Sequence, residues 1–231
     1  MTLRSDLEAE VTTIFKEPFS SRNGQVVPSD TDLKLSNDAV KLDGTVLYAD
    51  ISDSTKLVDG HRHHFSAEVY KAFLRCSAKI IRSEGGSITA FDGDRIMAVF
   101  LGGSKNSAAA KAALKINWAV REVINPSIKA QYPDVEYQLK HTVGIDTSEM
   151  FVVRGGIRGS NDLLWISRAA NHAAKLTTLD DGFATWITKD VYDGLDNPSK
   201  IATDGRNMWE SRSWTAMNGQ TIYRSSFWWS L

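Results

Sequence analysis

The sequence predicts an α+β fold in which an antiparallel sheet is covered by helices. A β-rich apolar run at residues 45–51 (TVLYADI) lies between polar turn residues, which is typical of a buried strand. Residues 65–86 and 104–125 repeat apolar side chains at helical spacing and predict two long helices. Residues 87–100 hold an Asp-Gly turn signal between two short strands, which predicts a β-hairpin. With one further strand the order is β-α-β-β-α-β, the ferredoxin-like arrangement.

The remaining elements follow the second long helix. This helix should end just before Pro126, because a proline inside a helix removes a hydrogen bond and clashes with the preceding turn. Alternating apolar residues predict a strand within residues 135–145, and a second antiparallel strand is expected after a short turn, at residues 149–153. A helix is expected over residues 166–178, a strand near residues 183–187, and one or two further strands near the C-terminus.

The N-terminal segment differs in character from the rest of the chain. Residues 3–17 place four apolar side chains on one helical stripe, which predicts a leading amphipathic helix. A polar stretch follows it. Residues 1–40 are therefore expected to form an N-terminal helical arm, either an accessory segment or one that packs in a dimer.

The composition limits the classes of function. With 231 residues, 42% of them hydrophobic, the chain can bury one sizeable core. The formal net charge of -1 offers no broad basic field, which disfavours general nucleic-acid binding. No apolar stretch approaches the roughly 20 residues that span a bilayer. A lone cysteine, Cys76, and an N-terminus without a signal-like pattern indicate a cytoplasmic protein.

Two aspartates are candidate metal ligands. Asp50 is a charged residue at the end of a strand that otherwise has a buried pattern, and an unpaired buried carboxylate costs several kcal/mol. Asp94 lies beside the hairpin turn and should reach the same point of a ferredoxin-like sheet. Two carboxylates with few competing ligands suit Mg²⁺ or Mn²⁺, which keep waters and bind triphosphate oxygens. The residues alone leave open that Asp50 caps the next helix and Asp94 serves only the turn.

Three blocks of the sequence resemble the class III adenylate/guanylate cyclases. They are an aromatic residue followed by Asp-Ile and Ser-Thr, a Gly-Asp pair before an apolar strand, and a helical block with an asparagine and a basic residue. The blocks lie at residues 48–55 (YADISDST), 93–100 (GDRIMAVF) and 166–176 (ISRAANHAAKL). They occur in the family's order, and the resemblance implies that residues 41–231 form a cyclase catalytic domain.

The resemblance also implies the roles of individual residues. Asp50 and Asp94, with the carbonyl of Ile51 as an extra ligand, would hold two Mn²⁺ or Mg²⁺ ions in each active site. Asn171 would orient the ribose. Lys175 stands where the family has a transition-state arginine, and it keeps the charge without the planar guanidinium fork. Since the family supplies these last two residues from the opposite subunit, the resemblance implies a two-fold homodimer with its sites at the interface.

The base-selecting positions depart from the purine cyclases. Ala90 stands where the family has lysine or glutamate, and Leu164 where it has Asp, Thr or Cys, so neither can hydrogen-bond a purine. Tyr48 replaces a common phenylalanine, and Arg95 replaces a small residue after the second aspartate. A smaller pocket with a donor-only guanidinium suits the carbonyl oxygens of a pyrimidine.

This combination resembles the Pycsar pyrimidine cyclases of bacterial antiphage defence. The resemblance implies a lyase that converts UTP to 3′,5′-cyclic UMP and pyrophosphate, and a product that a separate effector protein reads. Uracil is favoured because it presents two carbonyl acceptors. The alternatives are a cyclase of CTP, ATP or GTP and a catalytically silent, nucleotide-binding cyclase-like sensor. Both metal aspartates are retained, which favours the enzyme.

Three other features of the sequence are assigned structural rather than catalytic or binding roles. Arg168 is interpreted as a solvated or dimer-contact residue, with a role as the missing transition-state cation as the alternative. The histidine-rich residues 61–64 are expected to form a solvated loop between helices, because their spacing fits no standard metal site. The glycine-rich residues 155–159 are expected to form a surface hairpin rather than a phosphate-binding loop.

Overall fold

The computed structural model describes residues 2–179 and 182–231. The helices are α1 (Leu3–Lys16), α2 (Ser54–Gly60), α3 (His63–Ser83), α4 (Lys105–Ala119), α5 (Asn125–Gln131), α6 (Arg168–Leu176), α7 (Lys189–Asp193) and α8 (Asn197–Lys200). The strands are β1 (Ser20–Asn23), β2 (Asp38–Ile51), β3 (Ser87–Asp92), β4 (Arg95–Leu101), β5 (His141–Ile157), β6 (Ser160–Ile166), β7 (Thr185–Thr188), β8 (Glu210–Trp214) and β9 (Gln220–Ser225).

The strand order confirms the predicted fold class. The main path of the sheet is β3-β4-β2-β5-β7-β9-β8, with β1 paired to β2 and β6 paired to β5. Strands β2, β3, β4 and β5 with helices α3 and α4 are the predicted β-α-β-β-α-β core. The expectation of a purely antiparallel sheet was wrong, since β5 pairs with β7 in parallel and β1 with β2 in parallel. The sheet is therefore mixed.

The chain divides into two compact units. One comprises the residues up to Asp43 together with Glu149–Ser167, and the other comprises Gly44–Ser148 together with Arg168–Leu231. Strands β2 and β5 each contribute residues to both units. The residues that the sequence singles out for chemistry lie in the second unit, except Leu164, which lies in the first.

The first unit contains the N-terminal helix and the β5-β6 hairpin. Helix α1 begins at a capping box on Thr2 and buries none of its residues. The amide of Asn37 donates hydrogen bonds to the carbonyl oxygens of Ile14 and Glu17 and so holds the end of this helix. The predicted hairpin is present, and Gly159 takes a positive φ of 83° at its turn.

Two sequence predictions about the middle of the chain were wrong. The helix does not end before Pro126, because the π-helical turn Val120–Ile124 connects α4 to α5 and puts the proline in the first turn of α5, where no backbone N–H is needed. The expected turn before residue 149 is also absent from the described chain. Residues 141–157 form one continuous strand, and the chain reverses only after it. Alternation identified a strand here but not its ends.

The core of the second unit lies between the sheet and helices α3 and α4. Alternate residues of β2, namely Leu47, Ala49 and Ile51, are buried in this core with the small residues of α4. Tyr48 and Asp50 therefore project from the opposite face of the sheet. None of the helices in the described ranges combines the length and apolar character that a bilayer span requires.

Gly144 marks a close approach of β5 to α6. A Cβ added at Gly144 would lie 2.1 Å from the carbonyl oxygen of Ala173, which belongs to the helix backbone. We expect Gly144→Ala to lower the free energy of unfolding by about 1–3 kcal/mol, as overpacking does, when measured by urea unfolding. Gly103→Ala is the control, because a Cβ there meets nothing within 4 Å. Equal losses in the two variants would contradict the close approach.

Buried His141 should make stability depend on pH. Only 6% of His141 is exposed, and burial lowers its pKa to about 4 from an ordinary 6.5. Between these values the folded protein binds fewer protons than the unfolded chain. The free energy of unfolding should therefore fall by up to about 1.4 kcal/mol per pH unit as the pH drops through this window.

Urea unfolding of His141→Gln, from about pH 6.5 to about pH 4.5, tests this contribution. The variant should lose the part of the slope that His141 supplies. His64→Gln is the matched control, because His64 is exposed in the first turn of α3, and it should keep the wild-type slope. Parallel pH profiles for wild type and His141→Gln would show that His141 does not stay neutral in the folded protein.

Candidate active site

The two candidate aspartates lie at the ends of neighbouring strands. Strands β2 and β4 are antiparallel, with Ala49 opposite Ile96, so the next residue along β2, Asp50, comes beside the start of β4. Asp94 is in the tight turn just before β4, where Gly93 takes a positive φ of 61°. The predicted hairpin thus brings the second carboxylate to the first.

The electrostatics of this pair favour a bound cation. Burial and the charge of Asp94 raise the pKa of Asp50, and Arg95 opposes them, so that this pKa is about 6. Asp94 Oδ2 is buried and receives no hydrogen bond. A partly buried carboxylate next to a second, unsatisfied one is costly unless a positive charge neutralises it.

The donor set fits Mg²⁺ or Mn²⁺ better than a metal that needs a full protein cage. Within the described ranges, no group of three or more His, Cys, Asp or Glu residues could enclose a metal ion. Two carboxylates, with remaining ligands from backbone, water and phosphate, are the arrangement that these hard cations use with triphosphates. Of the residues expected to bind metal, Asp50 and Asp94 are brought together, and Ile51 follows directly with its side chain in the core.

Of the predicted base-reading residues, Arg95 lies next to Asp50, and Tyr48 lies next to Arg95. Arg95 Nε is 3.5 Å from Asp50 Oδ2, and its guanidinium carbon is 6.0 Å from the centre of the Tyr48 ring. Burial raises the pKa of the half-buried Tyr48 phenol, which keeps it protonated at neutral pH. Arg95 Nε is buried without an aligned acceptor, so this guanidinium retains donor capacity.

The other two base-selecting positions differ in setting. Ala90 lies on β3 opposite Met97 of β4 and offers only a methyl group. Leu164 lies on β6 opposite Val153 and is 48% exposed. Both side chains lack hydrogen-bonding groups, as the sequence indicated, so the structure supplies no purine-reading group at either position.

Helix α6 presents Asn171 and Lys175 on one exposed face. The two residues are four positions apart, whereas His172, Ala173 and Leu176 are buried on the other face. The Lys175 ammonium lies 3.9 Å from the sulfur of Met217. No hydrogen bond or ion pair among the described residues joins Asn171 or Lys175 to the aspartates of the same chain.

Sequence reasoning missed Tyr70 of α3. Burial raises the pKa of its phenol, the charges of Asp94 and Asp50 raise it further, and a hydrogen bond from Ser54 opposes them. Tyr70 therefore lies close enough to Asp50 and Asp94 for their charges to affect its pKa. Tyr70 lies within the predicted helix of residues 65–86, and no motif in the sequence distinguishes it.

The fold agrees with solved class III cyclases. The adenylyl cyclase CyaB from P. aeruginosa matches with a TM-score of 0.67 at 21% identity, over 81% of this chain and 95% of that one. The guanylyl cyclase Cya2 matches with a TM-score of 0.68 at 17% identity, over 82% of this chain and 94% of that one. Identities this low show a shared fold and no more.

Three named proteins match the chain from end to end. It is 47% identical to a uridylate cyclase of Xanthomonas perforans and 48% identical to one of Burkholderia cepacia, over 100% of both chains in each case. It is 41% identical to a uridylate cyclase of Rhodovulum sp. (strain MB263), over 99% of this chain and 98% of that one. No protein-family model matches the sequence. By whole-length identity to these relatives, the chain belongs to the uridylate cyclase family.

Proposed function

We propose that this protein converts UTP to 3′,5′-cyclic UMP and pyrophosphate. The observation that carries the proposal is the placement of Arg95 beside Asp50 of the carboxylate pair, with the Tyr48 ring next to the same guanidinium. A guanidinium at this point donates to carbonyl oxygens, of which uracil has two. The names of the whole-length relatives support the same substrate.

The proposed chemistry assigns a task to each residue. Asp50 and Asp94, with the Ile51 carbonyl, would hold two Mn²⁺ or Mg²⁺ ions. Those ions lower the cost of charge on the 3′-oxygen and on the α-phosphate. Asn171 orients the ribose, and Lys175 contributes positive charge where a related cyclase has arginine.

Two copies of the chain complete each site in this proposal. Asn171 and Lys175 lie on an exposed helix face, and in the described part of the chain no hydrogen bond or ion pair joins them to Asp50 or Asp94. A two-fold homodimer would place this face over the carboxylates of the partner subunit. In the same scheme residues 1–40 are an N-terminal helical arm, and residues 41–231 are the catalytic domain.

The wider role rests on resemblance to pyrimidine cyclases. We propose a cytoplasmic enzyme of antiphage defence whose cyclic nucleotide is read by a separate effector protein. CTP, ATP or GTP as the substrate, and a silent nucleotide-binding sensor, are the alternatives that product analysis separates.

Product analysis with each of the four triphosphates and Mn²⁺ tests the substrate. We expect cyclic UMP and pyrophosphate from UTP, with the other three substrates turned over far less. Arg95→Ala should reduce kcat/KM for UTP by roughly tenfold to a hundredfold, since a charge-assisted hydrogen bond is lost. Arg82→Ala, at an exposed site in the last turn of α3, is the control. Product from ATP or GTP alone would refute the pyrimidine assignment, and tight nucleotide binding without turnover would favour the sensor.

Replacement of either aspartate tests the metal site. Asp50→Asn and Asp94→Asn should each reduce kcat by about a thousandfold, because metal stabilisation of the transition state is worth several kcal/mol. Without metal, Asp50→Asn should melt at the same temperature as wild type or higher, since a costly buried charge is removed. Added Mn²⁺ should raise the melting temperature of wild type and not that of the variant.

Asp59→Asn, on the exposed end of α2, is the matched control for these variants. It should keep both the activity and the Mn²⁺-dependent shift of melting temperature. Full activity of Asp50→Asn, or an unchanged response to Mn²⁺, would refute the two-metal mechanism.

A further inference from the structure

We propose that Asp146 is a positioning residue that fixes helix α6 on the sheet and thereby sets where Asn171 and Lys175 project. The inference rests on the proposed function, in which Asn171 and Lys175 act on the substrate. Asp146 lies on β5 with none of its surface exposed. A carboxylate so deeply buried costs several kcal/mol unless hydrogen bonds and positive charges surround it.

The carboxylate of Asp146 has three side-chain partners. The hydroxyl of Thr188 donates a hydrogen bond of 2.5 Å to Oδ1. Arg168 Nε and His172 Nδ1 each lie 3.2 Å from Oδ2. Arg168 Nη2 also donates a hydrogen bond of 3.4 Å to Oδ1, whereas the two contacts at Oδ2 are not aligned as hydrogen bonds. Two of the three side-chain partners of the buried acid therefore lie on α6.

Arg168 and His172 of α6 both contact the Asp146 carboxylate, and we call this set of three residues the clamp. Arg168 and His172 are four residues apart, so they occupy the same helix face one turn from each other. A single carboxylate that contacts both restrains the rotation of the helix about its axis as well as its distance from β5. Asn171 directly precedes His172, and Lys175 lies one turn after Asn171. A rotation of α6 would therefore move both Asn171 and Lys175.

Other contacts extend this clamp. Arg168 also donates to the Thr147 carbonyl oxygen at 2.7 Å and contacts the Asp190 carboxylate at 2.6 Å. The backbone N–H of Ala169 donates to the Ser148 hydroxyl at 3.1 Å. Arg168 therefore contacts three acceptors of its own chain, namely Asp146, Thr147 and Asp190.

The first test is activity of Asp146→Asn, which keeps the shape of the side chain and removes its charge. We expect kcat to fall by roughly a hundredfold, because a misplacement of about 1 Å has this effect, while KM for UTP stays within about threefold. Asp193→Asn is the matched control. Asp193 is an exposed acid of α7 that pairs with Lys189, and surface pairs contribute little, so kcat should change by less than about twofold.

Mixing of inactive variants separates a positioning role from a general structural one. If the sites are shared, Asp50→Ala mixed with Asn171→Ala regains activity, because one site of the mixed dimer has both halves intact. Asp146→Asn should then also regain activity with Asp50→Ala, which supplies an intact α6. Recovery with Asn171→Ala and none with Asp146→Asn would overturn the inference.

Hydrogen–deuterium exchange tests the inference without the shared site. Asp146→Asn should speed amide exchange in α6 and leave α3 unchanged. Unchanged exchange in α6 would overturn the inference, whatever the mixing experiment shows. If neither pair of variants regains activity but α6 exchanges faster, the shared-site proposal fails and the clamp stands.

Thr188→Val removes one donor to the same carboxylate and should speed exchange in α6 to a smaller extent, which keeps the test open if Asp146→Asn does not fold.

Discussion

The close pairing of Asp50 and Asp94 is the constraint around which the site is organised. Two carboxylates at partly buried positions repel each other, and burial adds to the cost, as the raised pKa of Asp50 shows. Arg95 offsets only part of this charge. The fold therefore maintains a negative point that a bound cation would neutralise, and it does so by placing both residues at the ends of hydrogen-bonded strands.

Strand β2 connects this site to the most buried part of the second unit. Its alternate residues Leu47, Ala49 and Ile51 are in the core, so Tyr48 and Asp50 project from the other face with little freedom. Helix α6 has a comparable division, with His172 buried and its neighbour Asn171 exposed. In both elements the residues proposed for chemistry are adjacent to residues that packing holds in place, which is how a rigid scaffold gives precise geometry.

Asp146 shows how a polar group can perform part of that packing. An apolar residue at this position would pack against α6 without fixing the orientation of the helix. The carboxylate instead contacts Arg168 and His172 at defined atoms. Such an arrangement is seldom the most stable one, because buried charges are expensive to desolvate. It specifies one orientation of the helix, which is what the proposed action of Asn171 and Lys175 across a subunit boundary would require.

Local patterns in the sequence account for much of the fold. Apolar spacing predicted α3 and α4, and the Asp-Gly pair predicted the β3-β4 hairpin, because both depend on neighbours in sequence. The same reasoning failed at Pro126, because the helix continues through a π-helical turn that the sequence pattern does not predict. It also failed at β5, where one strand continues across the expected turn.

The sequence by itself determined the order of the core elements and, through the family resemblance, the two candidate aspartates and the replaced base-selecting positions, because each of these is encoded within a few consecutive residues. The tertiary structure decided which of them meet. It put Arg95 within 3.5 Å of Asp50, brought Tyr70 near the same carboxylates, and buried Asp146 between α6 and β7. These contacts join residues on different strands and helices, and only the register of the sheet and the packing of helices on it bring such residues together.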